Sequence, residues 1–539
     1  MIGVESSIKS NKYNLFLVLI LSAGLLLRLF HFFSNRSLWL DEGYLSSSLL
    51  RMNYHELAAG YLDYQQKAPI GFLWIVKFFV NVLGKNEYAL RMVSLLTGIF
   101  SLLFFIPVAR FFLKGYGFIL ALTLLAFAPA IIYHTVEIKQ YSTELFCTIM
   151  AFYLLIKYKD CKTYTQAFYW GGYGAILLWF SYPVVFLLAG FGMALSLYYI
   201  LKRKWNLLFL NAIPFLIWFF SFLTNYLLFI QKTKGAKWVV YWFSFYDNFM
   251  PLPPKSLADL SWYVVNIYRM LDYPMGLLWD FMNVSSNVLI NSLFKMPVLP
   301  IFFIFSGIYA FYKLSKQQFL VLLVPVGIVL LASGLRLYPL TERFWIFIVP
   351  VFIILLAKGF ESIRLKKLKI MVFALILIGP FYQSFSSVLH SEKFYMHKKS
   401  FQKEMFNYIN SNFEKDDAVY VYWNELPGYK VYKTIENYKY SAVEGHDFRS
   451  ASKSFADYNK HLKMDFKEFA GNKRVWLVFN NKYLANVGDM INDPSWYYES
   501  GFNPTKNLEL EFRKIAIPLK KVVTADITVC LYELKNINP

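Results

Sequence analysis

The chain has 539 residues, of which 57% are hydrophobic, and its mean hydropathy is +0.40. This composition excludes a soluble domain of ordinary type. In a soluble chain a net charge of +21 would suggest nucleic acid as a partner, but here the lysines and arginines cluster in short loops between apolar segments, so no nucleic-acid partner is expected. Three cysteines provide neither a disulfide framework nor a metal-ligand spacing.

Apolar blocks close to the ~20 residues that a membrane-spanning helix requires run through the first part of the chain. They predict a mainly α-helical, polytopic membrane bundle with about 11 spans. The predicted spans cover residues 13–33, 91–112, 117–135, 141–157, 166–181, 183–201, 206–230, 297–313, 318–335, 343–357 and 369–387. Two long loops, about 34–90 and 231–295, interrupt this transmembrane module of residues 1–389, and a polar region follows at 390–539.

The basic residues of the short loops predict the orientation of the chain. If the N-terminus is cytoplasmic, the cytoplasmic connections carry clusters such as residues 202–204, whereas the short outward connections carry few basic residues. Both long loops and the C-terminal region then face outward. Residues 69–84 are apolar but too short to span, with Lys77 in their middle, so they are predicted to form an amphipathic helix in the outer interface, as are residues 44–59.

The C-terminal region alternates helical patterns with short β-rich runs. These runs are 418–423, 474–480 and 522–534. In the last of them Ile527, Val529 and Leu531 alternate with period two, which indicates one face of a strand. The pattern predicts that residues 390–539 form a small extracytoplasmic α/β domain.

Two adjacent carboxylates, Asp41 and Glu42, follow the first predicted span. Neighbouring side chains point in different directions on a helix or a strand, so this pair cannot bracket one bond from both sides as paired carboxylates do in glycosidases. One of them can act as a base while the other supports it. The alternative is structural: Asp41 caps a helix that begins near Gly43, and Glu42 lies in its first turn.

Other charged residues are predicted to reach the same outer surface. Lys67 lies at headgroup depth, where it can contact a lipid phosphate or simply anchor an interfacial helix. Further candidates on short outward turns are Glu137, Lys139, Tyr141, Glu342 and Arg343. Local ion pairs are the alternative explanation for the charges on these turns. Arg28, on the first span below Asp41, is expected to be the structural partner of a carboxylate.

Together these residues suit the transfer of a sugar from a lipid phosphate. Asp41 would deprotonate the acceptor hydroxyl, a role in which one carboxylate contributes about 10²–10⁴ in rate. Lys67 and Arg343 would stabilise the charge that develops on the departing phosphate. Phosphate is already a good leaving group, so no general acid is required. Attack from the side opposite to the phosphate would invert the anomeric centre.

Several segments resemble the GT-C membrane glycosyltransferases of the protein O-mannosyltransferase and lipid A aminoarabinose transferase families. They are LLLRLFHFFSNRSLWLDEGY, QQKAPIGFLW, NEYALRMVSLLTGIFSL, APAIIYHTVEIKQYS and YPLTERFWIFIVPV. The resemblance implies a GT-C fold, a polyprenyl-phosphate-linked sugar donor and a bacterial cytoplasmic (inner) membrane. It also implies that Asp41 is the base and that Glu42 helps to bind or orient the acceptor. Lys67, and Arg343 with it, would contact the donor phosphate.

One residue departs from this resemblance. In the aminoarabinose transferase a glutamate precedes the lysine and helps to bind a metal, whereas this chain has Gln66 there, so no cofactor is assigned and a divalent metal is kept only as an alternative. The acceptor hydroxyl could belong to a lipid, a glycan or a protein. Two alternatives stay open: a ligase or polymerase of longer lipid-linked glycans, and a non-enzymatic lipid or solute transporter. Charges at one rim rather than at mid-membrane depth favour the enzyme.

Overall fold

The computed structural model describes residues 2–59, 61–231, 237–282, 284–391, 394–395, 398–469, 471–485, 489–492, 494–499 and 501–535. Both predicted outer loops and the predicted C-terminal domain include residues outside these ranges. Every element below lies within the described part of the chain.

A helix is present at each predicted span. The helices of the first 389 residues are α1 (Ile2–Phe33), α2 (Leu40–Arg51), α3 (Tyr54–Ala59), α4 (Ile70–Leu83), α5 (Glu87–Phe112), α6 (Gly115–Phe127), α7 (Pro129–His134), α8 (Tyr141–Tyr158), α9 (Tyr164–Phe180), α10 (Val184–Leu201), α11 (Trp205–Asn225), α12 (Lys237–Phe245), α13 (Leu257–Asp272), α14 (Val288–Phe294), α15 (Val298–Leu314), α16 (Lys316–Gly334), α17 (Val349–Glu361) and α18 (Lys366–Leu389). Short 3-10 segments lie at Asp63–Gln65 and Glu342–Ile348.

The predicted number of about 11 spans is not confirmed. Among the described residues, seven helices are long and apolar enough to cross a membrane, and an eighth results if α14 and α15, which meet at 62°, form one span. The other predicted spans are helices that are shorter or less apolar. Helix α6, for example, has 13 residues and ends at Phe127, because the N–H that would continue the helix is missing at Pro129.

The first long loop, predicted to face outward, folds into short helices that pack on one another. The helix predicted over 69–84 is present as α4, and Lys77 within it is buried, where it donates a hydrogen bond to the carbonyl of Leu49 in α2 at 3.0 Å. The helix predicted over 44–59 begins earlier, at Leu40, and is divided into α2 and α3. The second long loop contributes α12, α13 and α14.

The C-terminal residues form a five-stranded mixed sheet between helices. In chain order the elements are α19 (Gln402–Asn412), β1 (Asp417–Val421), α20 (Leu426–Ile435), β2 (Val443–Glu444), α21 (Phe455–Phe466), β3 (Arg474–Asn480), α22 (Asp489–Asn492), α23 (Ser495–Glu499), α24 (Pro504–Ile515), β4 (Ala516–Val523) and β5 (Ile527–Leu534). The strand order is β2-β1-β3-β5-β4. Strand β1 is parallel to β2 and β3, and β5 is antiparallel to β3 and β4. The β-rich pattern of this region is therefore confirmed, although the run at 522–534 covers the end of one strand and all of the next.

The two faces of this sheet are buried in different cores. Ile527, Val529 and Leu531 of β5 share a core with α19, α20, α2 and α4, whereas Cys530 and Tyr532 share one with α21 and α24. The alternation read from the sequence thus distinguishes two faces of β5 that are both buried, rather than one buried and one solvent-exposed face. The first of these cores joins the C-terminal sheet to the first long loop, and this junction supports the site.

Candidate active site

The start of α2 is set by Glu42 rather than by Asp41. The helix begins at Leu40, and Glu42 Oε2 accepts a hydrogen bond from the N–H of Trp39 at 3.3 Å. Asp41 therefore lies in the first turn, and the alternative in which it caps a helix beginning near Gly43 is wrong. The positive end of the helix dipole favours both acidic side chains in the first turn, but only Glu42 accepts a hydrogen bond from the backbone that precedes the helix.

The carboxylate of Glu42 is completely buried and has several partners. Oε2 is 3.0 Å from Nη2 of Arg36, and Oε1 is 3.4 Å from Nη2 of Arg91. The backbone N–H of Ile138 also donates to Oε1, at 3.0 Å. A buried charge is stable only with such compensation. Glu42 therefore joins the outer loop, α5 and the turn between α7 and α8, and both its oxygens are already bonded within the protein.

Asp41, unlike its neighbour, is partly exposed. Its side chain is 22% exposed, and Oδ2 lies 3.0 Å from Nη1 of Arg343 in the Glu342–Ile348 segment. Within the described part of the chain, Oδ1 has no hydrogen-bond donor. The geometry therefore leaves one carboxylate oxygen of Asp41 open beside a guanidinium group.

Two lysines carry further positive charge: Lys139, whose ammonium interacts with the carboxylate of Asp41, and Lys67, which follows Gln66, the partner of Lys139, in the chain. Lys139, in the turn before α8, is 5% exposed, and its Nζ donates to Oε1 of Gln66 at 2.5 Å. Lys67 is half-buried and makes no ion pair or side-chain hydrogen bond to other described residues. Burial lowers the pKa of Lys139 and of Lys67. Within the described part of the chain, neither ammonium lies at ion-pair distance from a carboxylate, so both can pair with a bound anion.

The residues around Gln66 do not fit a metal ion. A neutral amide and an ammonium form the pair at this position, and an ammonium cannot be a metal ligand. Among the described residues, no group of three or more histidine, cysteine, aspartate or glutamate side chains converges as a metal site would require. The cation that contacts the side chain of Gln66 is the ammonium group of Lys139.

A hydrogen-bonded chain runs behind the open carboxylate. Oε2 of Glu137 is 2.5 Å from Nδ1 of His134, whose Nε2 is 3.0 Å from the hydroxyl of Tyr273. Lys398 donates to the same hydroxyl at 2.8 Å and is 3.2 Å from Oε2 of Glu342. These groups come from α7, the end of α13, the start of the C-terminal region and the segment that carries Arg343, so the chain holds four separate parts of the protein together.

The charge of Glu137 is fixed by this environment. Burial favours the neutral acid, but His134, with Lys398 and Arg343, holds the pKa of Glu137 well below its ordinary value. The other oxygen, Oε1, accepts a hydrogen bond from the indole N–H of Trp39 at 3.1 Å. The ionised carboxylate of Glu137 thus holds the indole of Trp39, the residue that precedes α2. Neither carboxylate oxygen of Glu137 is exposed.

The backbone around the site is strained. Asn35, Tyr64, Gln65 and Glu342 have φ angles of 39°, 53°, 52° and 33°, in the left-handed region that L-residues rarely adopt. Such strain persists only where surrounding contacts over-determine the conformation, and it concentrates at functional sites. These residues lie next to the Arg36, Gln66, Lys67 and Arg343 positions.

Arg28 has a role other than the predicted one, whereas Tyr141 is a supporting residue of the site. Arg28 does not pair with a carboxylate, so that expectation is wrong: its guanidinium donates to the carbonyls of Gly24, Leu125 and Ala126 at 2.8–3.2 Å. The break before Pro129 leaves the last carbonyls of α6 without helical donors, and Arg28 fills that need. Tyr141 is buried, with the guanidinium of Arg343 5.6 Å above its ring, so it supports Arg343 from below.

The C-terminal region fixes the loop that carries Asp41. The hydroxyl of Tyr432, in α20, accepts a hydrogen bond from the N–H of Leu38 at 2.7 Å and lies 3.2 Å from Oγ of Ser37. Lys403, in α19, is 2.8 Å from Oε1 of Glu87 at the start of α5. The site is therefore built jointly by the first long loop and by the C-terminal helices.

Sequence reasoning missed four residues of this arrangement. They are Arg91, Tyr273, Lys398 and Tyr432. Only Arg91 carried a signal, since it is a charge near the start of an apolar span. Lys398 looks like one of several solvated lysines, and Tyr273 and Tyr432 are two among 40 tyrosines, so nothing distinguishes them without the fold.

Comparison with known proteins finds similarity in fold rather than in sequence. No protein-family model and no curated protein matches the chain. The crystal structure of ArnT from Cupriavidus metallidurans bound to undecaprenyl phosphate aligns over 97% of this chain and 98% of that chain, with a TM-score of 0.55 and 11% identity. The apo structure of the same protein aligns over the same shares with a TM-score of 0.52. The GT-C fold implied by the sequence motifs is thereby confirmed.

Proposed function

We propose that the protein is an inverting glycosyltransferase that moves a sugar from a polyprenyl-phosphate donor to an acceptor hydroxyl on the outer face of the membrane. The observation that carries this proposal is the open oxygen of Asp41 beside a group of cations. Arg343 pairs with the other oxygen of Asp41, and the ammonium groups of Lys67 and Lys139 belong to neighbouring segments. A base next to a phosphate-binding surface is what this reaction requires.

The proposed reaction uses two kinds of group, the carboxylate of Asp41 and the nearby cations. The acceptor hydroxyl gives its proton to Oδ1 of Asp41 as its oxygen attacks the anomeric carbon of the donor sugar. The bond between that carbon and the phosphate oxygen breaks, and its electron pair remains on the phosphate. Lys67, Lys139 and Arg343 stabilise that charge. One displacement from the opposite side inverts the anomeric configuration.

The nature of the donor is supported by the fold and by the charge. The similar ArnT structure is bound to undecaprenyl phosphate, a polyprenyl phosphate. This chain places Lys67, which has no ion-pair partner among the described residues, just before the apolar helix α4. A lipid phosphate can bind there with its chain along apolar helices and its phosphate at the ammonium. Lipid, glycan or protein can supply the acceptor hydroxyl.

Glu42 and Glu137 act as positioning residues in this proposal. Both are completely buried, and each carboxylate is bonded to arginine, histidine, tryptophan or backbone donors. Neither has a free oxygen for the acceptor. Glu42 instead fixes the first turn of α2, and with it the direction of Asp41.

The arrangement of the chain in the membrane belongs to the same proposal. The N-terminus lies in the cytoplasm, the module of residues 1–389 spans the bacterial cytoplasmic membrane, and residues 390–539 form an extracytoplasmic domain. The motivating observations are the basic residues of the short loops and the contact of the C-terminal helices with the loop of Asp41.

The test uses purified protein in proteoliposomes with a radiolabelled polyprenyl-phosphate sugar. Asp41→Asn is expected to lose transfer by a factor of about 10² or more while the protein stays folded. The matched control is Asp160→Asn, because Asp160 follows the far end of α8, about 27 Å from its start at the site. Undiminished turnover in Asp41→Asn would remove Asp41 as the base.

A further inference from the structure

We infer that an acidic group of the acceptor, a carboxylate or a phosphate, binds in an open cavity between α2, the Asp63–Gln65 segment and α20. This inference rests on the proposed function, because it names the class of acceptor that the same site would use. The cavity has a volume of about 690 Å³. Volumes of roughly 300–1,000 Å³ are typical of small-molecule sites.

The residues around the cavity come from both halves of the protein. Helix α2, the 3-10 segment and the turn before α5 provide one wall, and α20 provides the other. The lining residues are Ser47, Leu50, Arg51, Asp63, Tyr64, Lys85, Lys430, Val431 and Thr434. The cavity therefore exists only when the C-terminal helix α20 is packed on the first outer loop.

The charge of the lining is positive. Arg51, Lys85 and Lys430 are cations, and Asp63 is the only carboxylate among the lining residues. Arg51 is paired with Asp63 at 2.6 Å, and Lys430 with the half-exposed Glu444 at 2.9 Å. Lys85 makes no ion pair with the described residues. A ligand that enters this cavity therefore meets one unpaired ammonium and one that is only weakly neutralised.

The cavity lies along the same helix stripe as Asp41. Residues 41, 44, 47 and 51 follow one another at intervals of three or four, which places them along one side of α2. Ser47 is six residues and Arg51 ten residues beyond Asp41, so the cavity wall lies about 9–15 Å along the helix axis from the open carboxylate. A single bound molecule that spans two or three sugar rings would reach from one to the other.

Aromatic rings stand between the two positions. Tyr44 lies between Asp41 and Ser47 on the helix, and its ring stacks on that of Tyr64 with centroids 4.3 Å apart and an angle of 18°. Tyr64 also lines the cavity. Flat rings with a polar edge are suited to contact with a sugar. Tyr44 is buried in this stack, so Tyr64 is the ring that a sugar can contact. The cations at the far end and the Tyr64 ring in the middle therefore fit an acidic glycan whose reacting hydroxyl lies at Asp41.

Binding is measured first, without any donor, so that it does not depend on the transfer reaction. The full-length protein in nanodiscs is titrated with a disaccharide that carries one hexuronate, with a neutral disaccharide of the same size, and with glycerol 1-phosphate. The hexuronate disaccharide is expected to bind at least about tenfold more tightly than the neutral sugar at low salt. Glycerol 1-phosphate competes with it if a lipid headgroup can supply the acidic group; the absence of competition assigns the cavity to acidic glycans.

The variants identify the cavity as the place of binding. Lys85→Gln together with Lys430→Gln is expected to lower the affinity for the hexuronate disaccharide about tenfold. The control is Lys460→Gln with Lys463→Gln, which removes two exposed charges from α21, across the sheet from α20. Both double variants keep buried contacts intact, so folding is expected in each.

The outcomes separate this inference from the proposed function. Equal affinity for acidic and neutral disaccharides, or equal losses in the two double variants, would overturn the acidic-acceptor site. If the protein binds the hexuronate through Lys85 and Lys430 but never transfers a sugar, the cavity stands and the proposed function fails. If it transfers sugar to neutral acceptors at the same rate, the proposed function stands and the inference fails.

Discussion

Replacing Glu42 by glutamine is expected to destabilise the protein far more than replacing Asp41 by asparagine. The two substitutions are chemically equivalent, since each converts a carboxylate into a neutral carboxamide of nearly the same size. Glu42 is completely buried, and the change leaves the guanidinium groups of Arg36 and Arg91 without their counter-charge. Loss of one partner from a buried ion pair costs about 3–5 kcal/mol. The Asp41–Arg343 pair is partly exposed on both sides, and such pairs contribute about 0–1 kcal/mol.

The free energy of unfolding can be compared in mixed micelles of a mild and a denaturing detergent, followed by tryptophan fluorescence. The expected order is wild type close to Asp41→Asn, with Glu42→Gln well below both. Transfer activity should show a different pattern, since Asp41→Asn removes the base without unfolding the protein. Equal losses of stability in the two variants would refute the separation of a structural from a catalytic carboxylate.

Three further outcomes are expected. Gly307→Ala should destabilise the bundle strongly, because its Cβ would lie 1.8 Å from the carbonyl oxygen of Leu355, whereas Gly327→Ala, which meets nothing within 4 Å, should be neutral in the same unfolding assay. Tyr432→Phe should cost about 1–3 kcal/mol, because it leaves a buried backbone N–H without an acceptor, and unfolding would measure it. Burial lowers the pKa of Lys67 below its ordinary value of 10.5. The KM for the donor should therefore rise as the pH increases through this lowered pKa, because the ammonium loses its charge. Lys67→Arg should move the rise in KM to higher pH.

Much of the fold could be predicted because its signals are local. Each apolar segment named from the sequence contains a helix, and the run at 474–480 coincides with β3. Hydrophobic periodicity reports the nearest neighbours of a residue along the chain, and these decide helix or strand. It does not report how helices are broken or bent, so the number of spans could not be predicted: Pro129 ends α6 early, and α14 meets α15 at an angle.

The roles of the residues in the candidate site, in contrast, could not be predicted from the sequence. The sequence places Asp41 and Glu42 side by side, and nothing in it distinguishes the buried carboxylate from the open one. The difference arises from Arg91 and from Ile138, which lie 49 and 96 residues beyond Glu42 and reach it only through the tertiary fold. The same is true of Tyr273 and Lys398, whose contacts join segments far apart in the chain. Long-range partners of this kind leave no local pattern.

The central claim is a single displacement at the anomeric carbon with Asp41 as the base. The most direct measurement is the anomeric configuration of the product, determined by nuclear magnetic resonance after transfer from a polyprenyl-phosphate sugar of known configuration. The account predicts an inverted product with the wild-type protein and no product with Asp41→Asn. A product with retained configuration would contradict it, because a single displacement from the face opposite the phosphate always inverts the anomeric centre.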